Sequence, residues 1–210
     1  MLRHPLRNTH GRLQDTCGGA AEKVLYGILA VFVLILTALV AAVLVRPDAP
    51  EFAPTPIQPR PIEGVLSSDT VTIDAADGER WQFFDFDRQS VIALPDTSGW
   101  DLAFRRFNVI AAGGVRNLGV VDFAAVEAPP TGNYVSNTLG RDTTNAAIAR
   151  WYTYGMVSHM LRPRENVFVV RNPNGTYAKL KFLGYYCPGL LAGCVTFQYV
   201  YRADGAPSFD

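Results

Sequence analysis

Apolar and polar positions fall into three regimes along the chain. From Val24 to Val45 (VLYGILAVFVLILTALVAAVLV) twenty-two residues run without a charge. At about 1.5 Å per helical residue the run reaches roughly 33 Å, enough to cross a ~30 Å hydrocarbon core. A secretory leader competes, because basic residues precede the run, but leader cores are typically about 7–15 residues long. The run therefore reads as an uncleaved membrane-spanning helix. Residues 46–61 (RPDAPEFAPTPIQPRP) form the second regime, with six prolines in sixteen residues. Proline fixes φ and removes donors, which predicts an extended, semi-rigid stalk. Such a stalk either holds a domain off the membrane or runs along a partner's surface.

The third regime, from Ile62 to Asp210, alternates on a period of two. Thr70–Asp74, Trp81–Phe86, Trp100–Ile110, Val167–Arg171, Thr176–Leu183 and Val195–Tyr201 read as strands. Asn172-Pro173-Asn174-Gly175 between two of them is a hairpin turn, because Asn and Gly tolerate positive φ. Only Asn145–Met160 has a helical composition, diluted by Tyr and Thr. With no βαβ rhythm and no internal repeat, the fold class is mainly β. The expected order is a cytoplasmic arm (1–23), a transmembrane helix (24–45), a Pro-rich stalk (46–61) and an antiparallel all-β extracytoplasmic domain (62–210).

Charge sets orientation and excludes a partner class. Arg3, Arg7, Arg12 and Lys23 precede the span, whereas Arg46 alone follows closely and Asp48 and Glu51 come next. Short basic flanks stay cytoplasmic. The amino terminus is thus expected inside a bacterial inner membrane and the β domain in the periplasm. Formal net charge is zero, which gives no support to a nucleic-acid partner. The span carries no ionisable side chain, so it offers no proton relay or axial ligand. Gly27, Ala30, Thr37, Ala38 and Ala41 share one helical face and would allow close helix–helix packing.

Three cysteines divide by compartment. Cys187 and Cys194 bracket a short loop between two strands on the oxidising side, where a disulfide is expected. Cys17 falls on the reducing side as a free thiol, or as a lipidation site near the membrane.

Several motifs in order resemble one family. They are Trp81-Gln82-Phe83-Phe84-Asp85-Phe86, then Trp100-Asp101-Leu102-Ala103-Phe104-Arg105-Arg106-Phe107-Asn108-Val109 followed by Gly113-Gly114. Val167-Phe168-Val169-Val170-Arg171, Gly175-Thr176-Tyr177-Ala178-Lys179-Leu180 and Tyr185-Tyr186 complete the series. Over about residues 63–202 the chain resembles the HmuY-like proteins. The resemblance implies an extracytoplasmic, mostly antiparallel β fold with haemophore-type haem binding in its founding members.

Haem needs axial ligands, usually His or Met. The β domain holds one histidine, His159, beside Met156 and Met160. Two histidines from one domain are excluded by count, and ligands so near in sequence cannot grip opposite faces of one iron. These three remain weak haem candidates, and a Met cluster with a hydrogen-bonded His is the plainer expectation. Other chemistry is thin. No Gly-x-Ser-x-Gly elbow accompanies His159, and no Cys-x-x-Cys-His, His-Glu-x-x-His or phosphate loop occurs. Asp74, Asp77, Asp85, Asp87 and Asp101 lack a calcium-loop spacing and read as solvated turn or strand-edge carboxylates. Gly113-Gly114 reads as a turn with positive φ. Trp81, Trp100 and Trp151 read as core or interface anchors, and Arg105 and Arg106 as neighbours on opposite faces of a strand. No enzyme is expected. The leading expectation is a single-pass accessory subunit of a larger bacterial membrane complex, respiratory or photosynthetic, touching lipid and integral membrane subunits. It needs no cofactor. A membrane-tethered haem-binding protein is the alternative.

Overall fold

A computed structural model describes residues 14–44, 48–60, 63–93, 99–140 and 142–210, with side chains of 19–41 and 44 in the first segment. The chain divides into two compact units, one ending at Pro47 and the other Asp48–Asp210. The first holds a single helix, α1 (Gln14–Leu44). It starts well before Val24 because Ala20, Ala21, Glu22 and Lys23 are good helix formers. Its stretch Gly19–Ala41 is long and apolar enough to cross a membrane. Gly27, Ala30, Thr37, Ala38 and Ala41 are all exposed along it. The Thr37 hydroxyl donates to the Val33 carbonyl (2.7 Å), so its polar group is satisfied within the helix. Cys17 lies on α1 with its side chain outside the described residues, as does the arm that carries Arg3, Arg7 and Arg12.

The second unit is built from antiparallel sheets. The larger contains β1 (Leu66–Asp74), β6 (Gly114–Val120), β9 (Asn166–Arg171), β10 (Tyr177–Cys187) and β11 (Leu191–Arg202), in the order β1-β11-β10-β9-β6. The smaller contains β2 (Gln82–Asp85), β3 (Ser90–Ile92), β4 (Leu102–Arg105) and β5 (Asn108–Ala111), in the order β3-β2-β4-β5. A separate ribbon pairs β7 (Tyr152–Tyr154) with β8 (Leu161–Pro163). Val195, Phe197, Tyr199 and Tyr201 alternate inward along β11, as a period of two requires. They meet the smaller sheet, with Phe197 edge-on to Phe84 (5.5 Å) and stacked on Phe104 (5.4 Å). Phe86 stacks on Tyr201 at 5.3 Å. Burying so many aromatic faces between two sheets supplies the core.

Four expectations need correction. The stretch Trp100–Ile110 is two strands rather than one. The chain reverses at Arg106, which takes φ +54°, and the turn escapes notice because Arg-Phe replaces the usual Asn-Gly. The stretch Asn145–Met160 forms no helix; turns lead into the β7–β8 ribbon, since Gly155 and β-strand formers such as Tyr and Thr disfavour helical continuation. Gly113 and Gly114 are not positive-φ residues. A Cβ on Gly113 would lie 1.9 Å from the Arg171 carbonyl oxygen, and one on Gly114 would lie 2.7 Å from the Tyr134 Cβ, so both serve close approach.

The fourth correction concerns the proline-rich segment. Residues 48–60 do not stand off as a spacer. The amides of Phe52, Thr55 and Arg60 donate to the carbonyls of Tyr186, Thr72 and Arg88, each at 2.9 Å. The Phe52 ring lies against Gly184, where a Cβ would approach it to 2.6 Å. Prolines alternate with residues that still own an N–H, and those residues tie the segment to the sheet.

Candidate functional site

One end of the β unit gathers the β4–β5 turn, the β7–β8 ribbon and the β10–β11 hairpin. The disulfide Cys187–Cys194 (S–S 2.02 Å) closes that last hairpin, and the Gly189 amide donates to the Glu51 carboxylate at 2.8 Å. Trp151, fully buried, stacks on Phe182 (4.4 Å), and its indole N–H donates to the Phe107 carbonyl (2.9 Å). The base of the ribbon is thereby pinned to the β4–β5 turn. The Leu161 amide donates to the Tyr186 hydroxyl (2.8 Å), which fixes β8 against β10.

These restraints leave a cavity of about 450 Å³. Its walls are aromatic: Phe107, Tyr152, Tyr154, Tyr185 and Tyr186, with Leu161 and Ala192. Arg106 and His159 are its two cationic or basic side chains. The Arg106 guanidinium is held by the Ala76 carbonyl at 3.1 Å. His159 sits in a tight reversal, at φ +54°, where its amide donates to Gly155 O (2.7 Å) and Gly155 N donates to Met160 O (2.8 Å). Its Nδ1 lies 2.5 Å from the Tyr154 hydroxyl. That bond leaves Nε2 as the open ring nitrogen. Burial pushes the Tyr152 and Tyr185 hydroxyls above their ordinary range, which keeps both protonated.

A larger cleft of about 630 Å³ lies at the opposite end, against Gly113, Asn137, Arg171 and Tyr177, but no His or Met lines it. The aromatic cavity, with its histidine, is the candidate site.

A sequence model described as HmuY protein matches residues 77–199, more than half of the chain. The chain belongs to the HmuY family. Solved structures show the same fold. The HmuY analogue of Tannerella forsythia, in its apo form, is 18% identical, and the match covers 67% of this chain and 99% of that one at a TM-score of 0.58. A Bacteroides vulgatus protein described as HmuY-like and heme-binding is 24% identical, with 70% and 98% covered and a TM-score of 0.58. A Bacteroides fragilis protein described as a lipoprotein is 19% identical, with 70% and 95% covered, also at 0.58. No curated protein sequence matches the chain.

Within this HmuY-family domain the three ligand candidates part company. His159 lines the cavity. Met156 stands 77% exposed at the ribbon tip, and Met160 is buried in the core at 6%. The expected Met cluster is therefore not formed, because a two-stranded ribbon sends these residues to different surroundings where a helix would have aligned them. Among the described residues, no second His or Met lines the cavity with His159. The aromatic walls were missed in the sequence. Only the pairing Tyr152↔Pro163 and the crossing of β8 over β10 bring Tyr152 and Tyr154 to Tyr185 and Tyr186.

The aspartates build turns. Asp77 accepts from Glu79 N and from Arg80 Nε (2.6 Å), which holds its carboxyl down at about 2. Asp85 and Asp101 are buried rather than solvated. Asp101 accepts from the Phe86 amide (2.8 Å), and burial, with Asp85 and Asp87 nearby, raises its pKa to about 7. Among the described residues no group of three His, Cys, Asp or Glu is placed to hold a metal ion. Arg105 pairs with Asp142 (3.2 Å) and lies over the Trp81 ring (4.6 Å).

Proposed function

We propose that this HmuY-family domain binds a haem-class ligand, a flat apolar macrocycle with an iron centre, in the aromatic cavity. The observation that carries the reading is His159 on the wall of the aromatic cavity, with Nδ1 held by the Tyr154 hydroxyl. Aromatic faces suit a planar ring, and the Arg106 guanidinium suits its carboxylate substituents. The donor set fits such a group on one side only. His159 would supply the single protein ligand. Tyr186 is committed to the Leu161 amide, and burial raises the Tyr185 hydroxyl above its ordinary range. Such a group would take one ligand from the chain and would be held weakly compared with one gripped from both faces. The likeness to a Bacteroides vulgatus protein described as heme-binding supports the same ligand class. The role is binding rather than catalysis, exerted outside the cytoplasm by a domain that α1 anchors to the bacterial inner membrane. Titration of the detergent-solubilised chain with haemin tests it, followed by the Soret band and by the loss of that signal in His159→Ala.

The one-sided ligand set favours a second reading, a non-catalytic accessory subunit of a larger bacterial membrane complex, respiratory or photosynthetic. There the β domain docks on integral membrane subunits, and the small-residue face of α1 packs against a partner helix. Native mass spectrometry of the detergent-extracted protein from its own membranes would find stoichiometric partners.

A further inference from the structure

The cleft of about 630 Å³ beside the β9–β10 hairpin shares no residue with the aromatic cavity. Its size falls within the ~300–1,000 Å³ of small-molecule sites. Arg171, the last residue of β9, and Asn172, the first of the turn, are neighbours in its wall. The turn is fixed by its own backbone: Asn172 N donates to Thr176 O (2.9 Å) and Gly175 N to Asn172 O (3.0 Å). Ser136 and Tyr177 add hydroxyls to the wall, and Leu139 and Pro173 add apolar surface.

Two polar groups in this wall lack the partner their chemistry calls for. The Arg171 guanidinium lies over the Tyr134 ring at 5.3 Å, and the close approach of Gly113 to the Arg171 carbonyl and of Gly114 to Tyr134 sets that pair. Stacking engages the flat face of a guanidinium and leaves its N–H donors for another group. Among the described residues no ion pair includes Arg171. Burial pushes the Tyr134 hydroxyl up to about 12, and it donates to the Pro130 carbonyl, so no phenolate neutralises the cation. Asn172 is 3% exposed. Its Nδ2 donates to Thr176 Oγ1 (3.1 Å), but its Oδ1 is a buried acceptor without a donor. A buried acceptor left so is costly, and a bound group that brings an N–H relieves it.

We propose that this cleft is a second binding site, for a small organic acid of the N-acylated amino-acid class. Arg171 takes the carboxylate through its fork of donors. Asn172 accepts from the amide N–H one carbon away from that carboxylate. Tyr177 and Leu139 cover the apolar side chain of the ligand. The site is independent of the aromatic cavity and stands whether or not that cavity takes haem.

The test is calorimetric titration of the detergent-solubilised full chain with N-acetylphenylalanine. Three comparison probes are its carboxamide, which lacks the carboxylate, its N-methyl form, which lacks the N–H, and inorganic phosphate. Saturable binding is expected, weakened roughly tenfold or more by Arg171→Gln, a change at an exposed side chain that leaves the fold in place. The carboxamide and the N-methyl form should each bind at least roughly fivefold more weakly than the parent acid. Using the N-methyl probe reads the Asn172 contact without altering a buried residue. No saturation by about 10 mM overturns the proposal, as does an affinity that Arg171→Gln leaves unchanged. Phosphate binding as tightly as the acid, or an N-methyl form equal to the parent, overturns the ligand class. His159→Ala should leave this titration unchanged while abolishing the haemin signal, so the two sites fail separately; loss of acid binding in that variant overturns the placement.

Discussion

The Tyr154 hydroxyl lies 2.5 Å from Nδ1 of His159 across the turn that joins β7 to β8. A hydrogen bond on one ring nitrogen fixes the orientation and basicity of the other. Tyr154→Phe should therefore leave the fold intact, since Tyr154 is half exposed, yet weaken haemin affinity roughly 10–100-fold. Equilibrium titration checks this. An unchanged affinity would show that the tyrosine plays no part in presenting the histidine.

The Cys187–Cys194 bridge closes a short loop that supplies Ala192 to the cavity wall and Gly189 to the Glu51 contact. Chain-entropy arithmetic for so short a loop gives about 2.5 kcal/mol. Cys187→Ser with Cys194→Ser should lower Tm by roughly 5–10 °C, read by thermal melts. Non-reducing peptide mapping should recover the two cysteines as one linked peptide pair; recovery as separate alkylatable thiols would remove the bridge from the account.

The main strands were legible because alternation and aromatic density mark buried strands even when packing is unknown. Val195–Tyr201 shows it: every second residue from Val195 to Tyr201 faces the core. Two features were hidden for physical reasons. Arg106 adopts positive φ without Gly or Asn to announce it, so the β4–β5 hairpin looked like one strand. The proline-rich segment looked free-standing because its hold on the domain is made of scattered contacts, among them three amides, the Glu51 carboxylate and the Phe52 ring on Gly184, and these form no sequence pattern. In the site, His159 stood out as a lone histidine, but the tyrosines around it converge only through long-range pairing.

Docking of that segment makes a direct prediction. A methyl group on Gly184 would meet the Phe52 ring at 2.6 Å, and the ring must then leave its place. Gly184→Ala should raise amide exchange at Phe52 and Thr55 by an order of magnitude or more, while amides in the centre of β11 stay protected. Hydrogen exchange by mass spectrometry resolves the two regions. Unchanged protection at Phe52 would mean that the ring does not hold the segment.

Asp101 gives the β unit a pH signature. Burial raises its pKa to about 7, above its value in the unfolded chain, so the folded state binds the proton more tightly. Its contribution to stability is complete at pH below about 4 and is lost as pH rises through about 7. Burial shifts the Asp85 carboxyl in the same direction. Tm of the full chain in detergent should fall between pH 5 and pH 8, and Asp101→Asn should flatten that slope. A wild-type Tm that rises across this range, or a slope that the substitution leaves intact, contradicts the assignment.

The proposed haem-class ligand is held by one histidine, His159, in the aromatic cavity. Resonance Raman spectroscopy of the detergent-solubilised full chain, titrated with haemin and reduced, tests it most directly, run beside His159→Ala. The expected result is a stoichiometric complex with the marker bands of five-coordinate, histidine-bound iron, lost in the variant. A six-coordinate spectrum, or one that survives His159→Ala, would contradict it, as would the absence of any stoichiometric complex.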